Sequence, residues 1–167
     1  HDLVSDDVGF DGPVVSFEPV SKYVTHLRER SRADARWSVE AYALGSRDGS
    51  AQIIVMRSPG LNSFLVPRED VVTDIWNAES IVATEQVRIC ALDGVIGRLR
   101  AEHKFTRPYL NRDTQGFDLE ALRGAEAALP SVVALQVEAS IRPIYQDMPD
   151  YRETIAYLNP RGFVLSA

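Results

Sequence analysis

Short apolar runs alternate with amphipathic stretches along this chain, so the spacing of hydrophobic positions predicts strands and helices in turn. Val14, Val15 and Phe17 form an apolar run that Pro19 stops, because proline cannot donate to a sheet ladder. Glu18 thus stands at a strand's carboxyl end. From Val20 to Arg32, Tyr23, Val24 and Leu27 share one face while Arg28, Glu29, Arg30 and Arg32 lie mostly elsewhere, the pattern of a surface helix. Between Arg36 and Gly45, Trp37, Val39, Ala41 and Ala43 alternate with Ser38, Glu40 and Tyr42, the period of a half-buried strand. With the Asp48-Gly49 turn and a second strand from Ala51 to Met56, this reads as a hairpin-like extension. Ser58 to Glu69 is a loop dense in turn formers, and Val71 to Thr84 reads as loop with helical turns. Glu85 to Leu92 alternates again and predicts a strand, and Val95 to Thr106 predicts a short helix.

The stretch from Tyr109 to Ala125 organises the rest. It reads as a short strand, a turn carrying Asp113, Thr114 and Gln115, and a helix from about Gly116 with Leu119, Leu122 and Ala125 at three-residue spacing. In open α/β sheets ligands bind beyond the carboxyl ends of the strands, which places these polar residues against a substrate or cofactor. The competing reading is that Asp113 or Thr114 only caps the helix, since both residue types are favoured there. Ser131 to Glu138 is a near-continuous apolar run, as in a parallel strand buried on both faces. Glu138 ends it, so Glu18, Asp113 and Glu138 each close a predicted strand. Pro143 to Pro149 reads as a loop with exposed apolar residues, followed by a helix from Tyr151 to Leu158 and the start of a last strand from Gly162 to Leu165.

Length and charge narrow the classes. The 167 residues, 45% of them hydrophobic, can bury one sizeable core, so residues 1–167 are expected to form a single domain. A net charge of −6, with no run of Lys or Arg longer than two residues, argues against a nucleic-acid partner, which needs a clustered basic footprint. One cysteine, Cys90, excludes an intrachain disulfide and fits a reducing, cytoplasmic setting; without a neighbouring His or basic cluster it reads as an inert thiol. His1, His26 and His103 show no ligand spacing, and His103 reads as a surface or cap residue. No apolar run approaches the roughly 20 residues needed to span a bilayer, so no membrane partner is expected.

Read together, the segments resemble the FkbM family of S-adenosylmethionine-dependent methyltransferases. Asp113-Thr114-Gln115-Gly116-Phe117-Asp118 and the following Leu122-Arg123-Gly124-Ala125 are similar to its signature, roughly Lys-x-Asp-Thr-Gln-Gly-Tyr-Glu-x-x-Val-Leu-x-Gly-Ala. Val15-Ser16-Phe17-Glu18-Pro19 resembles the second-strand motif, and Ala43-Leu44-Gly45 with Gly49 resembles an Ala-Leu-Gly-x-x-x-Gly turn. Val133 to Tyr145 resembles a Gln-x-Glu-x-Ser-x-x-Pro-x-Tyr segment. The likeness runs from about Val14 to Leu165.

The resemblance implies an α/β, Rossmann-like class I methyltransferase fold, a mostly parallel sheet with flanking helices, and methyl transfer from S-adenosylmethionine to a hydroxyl of a sugar, polyketide or other small molecule. Carried over, Glu18 binds the cofactor's ribose, Ala43 and Leu44 lie near the adenine, and Asp113 sits by the methionine and sulfonium end. Gln115 and Glu138 face the acceptor, with Asp113 and Glu138 as the candidate catalytic acids. Two departures stand out. Asn111 and Arg112 occupy positions where the family carries Lys and an apolar residue, so either the strand frays there or Arg112 pairs with an acid. The family's Asp-x-Gly-Ala-Asn-x-Gly turn and first strand have no counterpart, and Asp7-Val8-Gly9 matches only its start. The expectation is an incomplete copy, lacking the first strand and the C-terminal end, that binds S-adenosylmethionine poorly. The alternative is a non-catalytic remnant using the loops Ser58 to Pro67 and Pro143 to Pro149 as an interaction surface. A nucleotide-dependent oxidoreductase ranks below both, for want of a Gly-x-Gly-x-x-Gly turn. Oligomeric state and metal requirement are open.

Overall fold

The computed structural model describes residues 10–71 and 81–166. The readings made on Asp7-Val8-Gly9, and on the part of the Val71 to Thr84 loop between 72 and 80, lie outside them.

The chain folds as mixed α/β. Strand β1 (Val14–Phe17) leads to helix α1 (Ser21–Ser31), then β2 (Trp37–Glu40), β3 (Ala43–Leu44) and β4 (Gly49–Met56). After β5 (Ile81–Cys90) come α2 (Leu92–His103), β6 (Tyr109–Arg112), α3 (Asp118–Arg123), β7 (Ala134–Val137) and α4 (Tyr151–Leu158). Among the described residues the strands form three small sheets, β1-β2, β3-β5-β4 and β6-β7, in place of one continuous parallel sheet. Parallel pairing does recur, in β1 with β2, β3 with β5 and β6 with β7; β4 and β5 are antiparallel.

The expected hairpin between the Arg36 to Gly45 segment and β4 does not form. Tyr42, Ala43 and Leu44 are buried in succession, at 5%, 7% and 6% exposure, and consecutive side chains of one strand cannot all face one core. The chain therefore leaves the first sheet after Glu40 and joins β5 through β3. The antiparallel partner of β4 is β5, whose first residues were expected as loop. Ile81 and Val82 are about half exposed, so no alternation marks them, yet backbone pairing with β4 extends the strand to Ile81.

Three further expectations change. β7 is not buried on both faces: Ala134 and Gln136 are exposed, and only Leu135 and Val137 turn inward against the main core. α3 starts at Asp118 because Gln115 and Gly116 have φ of 49° and 91°, which no right-handed helix accommodates. No strand follows Gly162 among the described residues; Val164 and Leu165 are 87% and 82% exposed.

The main core gathers Leu44 and Cys90 from the second sheet, Leu92 from α2, Ala121 and Leu122 from α3, and Leu158 from α4. α3 is pinned by polar contacts. The Asp93 N–H donates to the Gly124 carbonyl at 2.9 Å, and its carboxylate accepts from the Ala127 and Ala128 N–H groups at 2.8 Å each. α1 lacks a side-chain cap of its own, but Glu18 accepts from Val20 N at 2.8 Å and Glu85 of β5 from Ser21 N at 3.1 Å, satisfying two of the donors a helix start leaves open.

Gly124 is the tightest point of this packing, since a Cβ there would lie 1.9 Å from the Gly45 carbonyl oxygen. Gly124→Ala is expected to cost at least about 3 kcal/mol, the upper range for overpacking, because backbone cannot yield as a side chain does. Gly97→Ala, in α2 with open space around it, is expected to stabilise by about 0.5–1 kcal/mol. Urea denaturation of both variants checks the contrast; equal effects would contradict this packing.

Candidate active site

Parallel pairing of β6 and β7 puts two acids side by side. The register matches Arg112 with Val137, and the Glu138 N–H donates to the Arg112 carbonyl at 3.2 Å, so Asp113 and Glu138 leave neighbouring strands at one level. Paired strands run about 4.8 Å apart, close enough for the two carboxylates to share a partner. That partner is Gln115. Its Nε2 donates to Asp113 Oδ1 at 2.8 Å and to Glu138 Oε2 at 2.7 Å. Asp113 and Glu138 are exposed while Gln115 is buried beneath them. Packing around the Glu138 carboxyl, its hydrogen bond to Asp113, and the charges of Asp113 and Asp118 push its pKa up to about 7.

Two loops expected at the surface close over Gln115. The Tyr145 hydroxyl lies 3.1 Å from Gln115 Oε1 and 3.0 Å from the Leu61 carbonyl, and Ser63 Oγ donates to the Gln115 carbonyl at 2.7 Å. Backbone bonds join the loops, from Arg68 N to Ile144 O and from Gln146 N to Val66 O. Tyr145 and Ser63 are each 1% exposed, and Met56, Leu65 and Met148 pack around the tyrosine. Gly116 completes the turn with φ 91°, and a Cβ there would meet Leu65 and Met148 at 3.0 Å. Burial raises the Tyr145 hydroxyl's pKa, so it stays protonated. Sequence reasoning missed both residues. Tyr145 ends the Gln-x-Glu-x-Ser-x-x-Pro-x-Tyr segment, which could have flagged it; Ser63 has no such signal.

The structure therefore brings Asp113, Gln115 and Glu138 together, and neither Asp113 nor Thr114 caps α3, whose N-cap is Phe117. Gln115 has both amide hydrogens engaged, so it bridges the acids and has no donor left for an acceptor. Glu18 stands apart at the end of β1. Burial and the charge of Glu85 raise its pKa against the Val20 bond, which engages only Oε1. Ala43 and Leu44 form strand β3 rather than a turn, with Leu44 in the main core. Cys90 is 1% exposed and burial pushes its thiol pKa up, the setting of an inert cysteine. His103 accepts or donates at 3.2 Å to Ser38 on the half-buried face of β2. Among the described residues no group of three His, Cys, Asp or Glu is arranged to hold a metal ion, and no helix is long and apolar enough to cross a membrane.

Arg112 does not fray its strand. It ends β6 in register, 5% exposed, with Asp118 at 4% as the acid whose charge supports it. Among the described residues no hydrogen bond of normal geometry reaches its terminal nitrogens or the Asp118 carboxylate. Burial lowers the pKa of Arg112 and raises that of Asp118, and each charge opposes the other's shift.

Asp113 and Glu138 thus close neighbouring parallel strands of a mixed α/β frame, with the Gln115 turn between them. The methyltransferase FkbM domain family matches residues 3–165, and the chain belongs to that family. No curated protein and no solved structure matches it.

The buried Arg112 and Asp118 make a stability prediction. Arg112→Met or Asp118→Asn alone leaves one charge without its counter-charge and is expected to cost about 3 kcal/mol, as for breaking a buried pair. The double variant should cost less than the two combined by about 1 kcal/mol or more, measured by a denaturation cycle. Strict additivity would show that the two charges do not interact.

Proposed function

We propose that the protein transfers a methyl group from S-adenosylmethionine to a hydroxyl of a sugar, polyketide or other small molecule, on a class I, Rossmann-like site. The observation that carries this reading is the pair of carboxylates at adjacent strand ends, joined by one amide and open to solvent. The cofactor would supply a methyl group on a sulfonium, a strong leaving group, so the protein's part is positioning and removal of one proton.

The residues present fit that group at one end. Glu18 has one oxygen committed to Val20 N, which leaves Oε2 to accept from ribose hydroxyls. Asp113 and Glu138 are the groups that hold or take a proton. Glu138 is the better base of an exposed pair, because a carboxylate with pKa near 7 takes a proton more readily than an ordinary one. In the loops that an interaction-module reading needs as free surface, Ser63 and Tyr145 are turned inward onto Gln115, while Ser58 to Gly60, Val66, Gln146 and Asp147 stay exposed.

Transfer of a labelled methyl group into a panel of hydroxyl compounds tests the reading. A base must be ionised, so activity should fall as pH drops through about 7, the value to which Glu138 is raised. Glu138→Gln should abolish that limb and reduce the rate by about 10²–10⁴-fold. Glu18→Ala should weaken binding of S-adenosylhomocysteine in calorimetry. No transfer to any hydroxyl compound, with unaltered cofactor binding in Glu18→Ala, would reject the assignment.

A further inference from the structure

We infer that Tyr145 and Ser63 are positioning residues that hold Gln115 as the link between Asp113 and Glu138. The inference deepens the reading of these acids as the proton-handling pair. The argument starts from what Gln115 would otherwise do. It has φ of 49°, a left-handed conformation that non-glycine residues adopt at a steric cost. Its side chain is sandwiched under two carboxylates that repel each other. Within the turn the Phe117 N–H donates to the Thr114 carbonyl at 3.3 Å and Gln115 Nε2 donates to both acids, while Gly116 adds no side chain.

Two distant loops add to these contacts. Ser63 Oγ donates to the Gln115 carbonyl and accepts from Leu65 N at 3.0 Å, so one hydroxyl fixes both the turn's backbone and its own loop. Tyr145, placed by its packing on Met56, shares its single hydroxyl hydrogen between two acceptors, the Leu61 carbonyl and Gln115 Oε1. An amide has one carbonyl end and one NH2 end. A donor on Oε1 selects the orientation in which both N–H groups point at the acids. Both hydroxyls bond Gln115, and the charges of Glu138 and Asp113 also reach Tyr145, adding to the burial that raises its hydroxyl's pKa. Tyr145 lies 30 residues from Gln115 in sequence and Ser63 lies 52 away, which makes the link dependent on the closure of both loops.

The Gln115 side-chain NH2 resonances in a nitrogen-edited NMR spectrum of the whole chain test this without any acceptor or cofactor. In the unaltered protein both hydrogens should be shifted downfield and slow to exchange. Both signals should also move with pH as Glu138 gains its proton. Tyr145→Phe should return them to free-amide positions and remove their pH response, with the core amide signals unchanged. Ser63→Ala should do the same in part, and Ser63→Thr, which keeps the hydroxyl, should restore the signature. Should either loop variant unfold, Gln115→Glu gives a second readout: a carboxyl in place of the amide should bring a third ionisation near Asp113 and Glu138 and broaden the titration of that cluster. Gln115 signals that keep their shift and pH response in folded Tyr145→Phe and Ser63→Ala would overturn the inference and leave the methyl-transfer reading standing. A failed methyl-transfer assay with the signature intact would do the reverse.

Discussion

Two like charges held side by side by one amide form the constraint on which the candidate site depends. Carboxylates at the ends of neighbouring parallel strands repel, and in water they would turn apart. Here Gln115 donates to both, and a proton retained on Glu138 to near neutrality removes one of the two charges. The geometry follows from register. Arg112 opposite Val137 sets Asp113 and Glu138 level, whereas a slip of one residue would turn every side chain of a strand to the other face.

That register is secured from behind. β6 and β7 turn Leu110, Leu135 and Val137 onto the same core as α3 and Leu44 of β3. α3 can approach β3 only because Gly124 meets the Gly45 carbonyl without a side chain. Arg112 and Asp118 lie buried beneath the same turn, as opposed charges that are not in hydrogen-bond contact. The arginine adds a positive charge within the field of Asp118, the acid that also raises Glu138. The front of the site is held by the two loops that meet on Gln115, so core and loops grip one turn from opposite sides.

Much of this was legible in the sequence, and the rest was hidden for identifiable reasons. β1, α1, β4, α2, β6 and α4 follow from hydrophobic period, and the strand-end positions of Glu18, Asp113 and Glu138 follow from where those periods stop. Pairing partners did not follow, because alternation says which face is buried and not which strand lies beside it. Hence β4 was matched to the wrong neighbour, and Ile81 and Val82, half exposed, gave no periodic signal. The role of Gln115 was partly visible through the resemblance, but its engagement with two acids depends on Tyr145 and Ser63. Tyr145 sits in a stretch whose apolar residues look exposed until a second loop covers them, and contact between residues 52 or more positions apart leaves no local pattern.

The most direct measurement is a carbon-detected NMR titration of the Glu138 side-chain carboxyl in the intact protein. The account predicts a midpoint near 7, with Asp113→Asn bringing it down towards the ordinary glutamate value by removing the neighbouring charge. A midpoint near 4.5 in the unaltered protein would contradict it, since the two acids would then ionise as independent surface carboxylates.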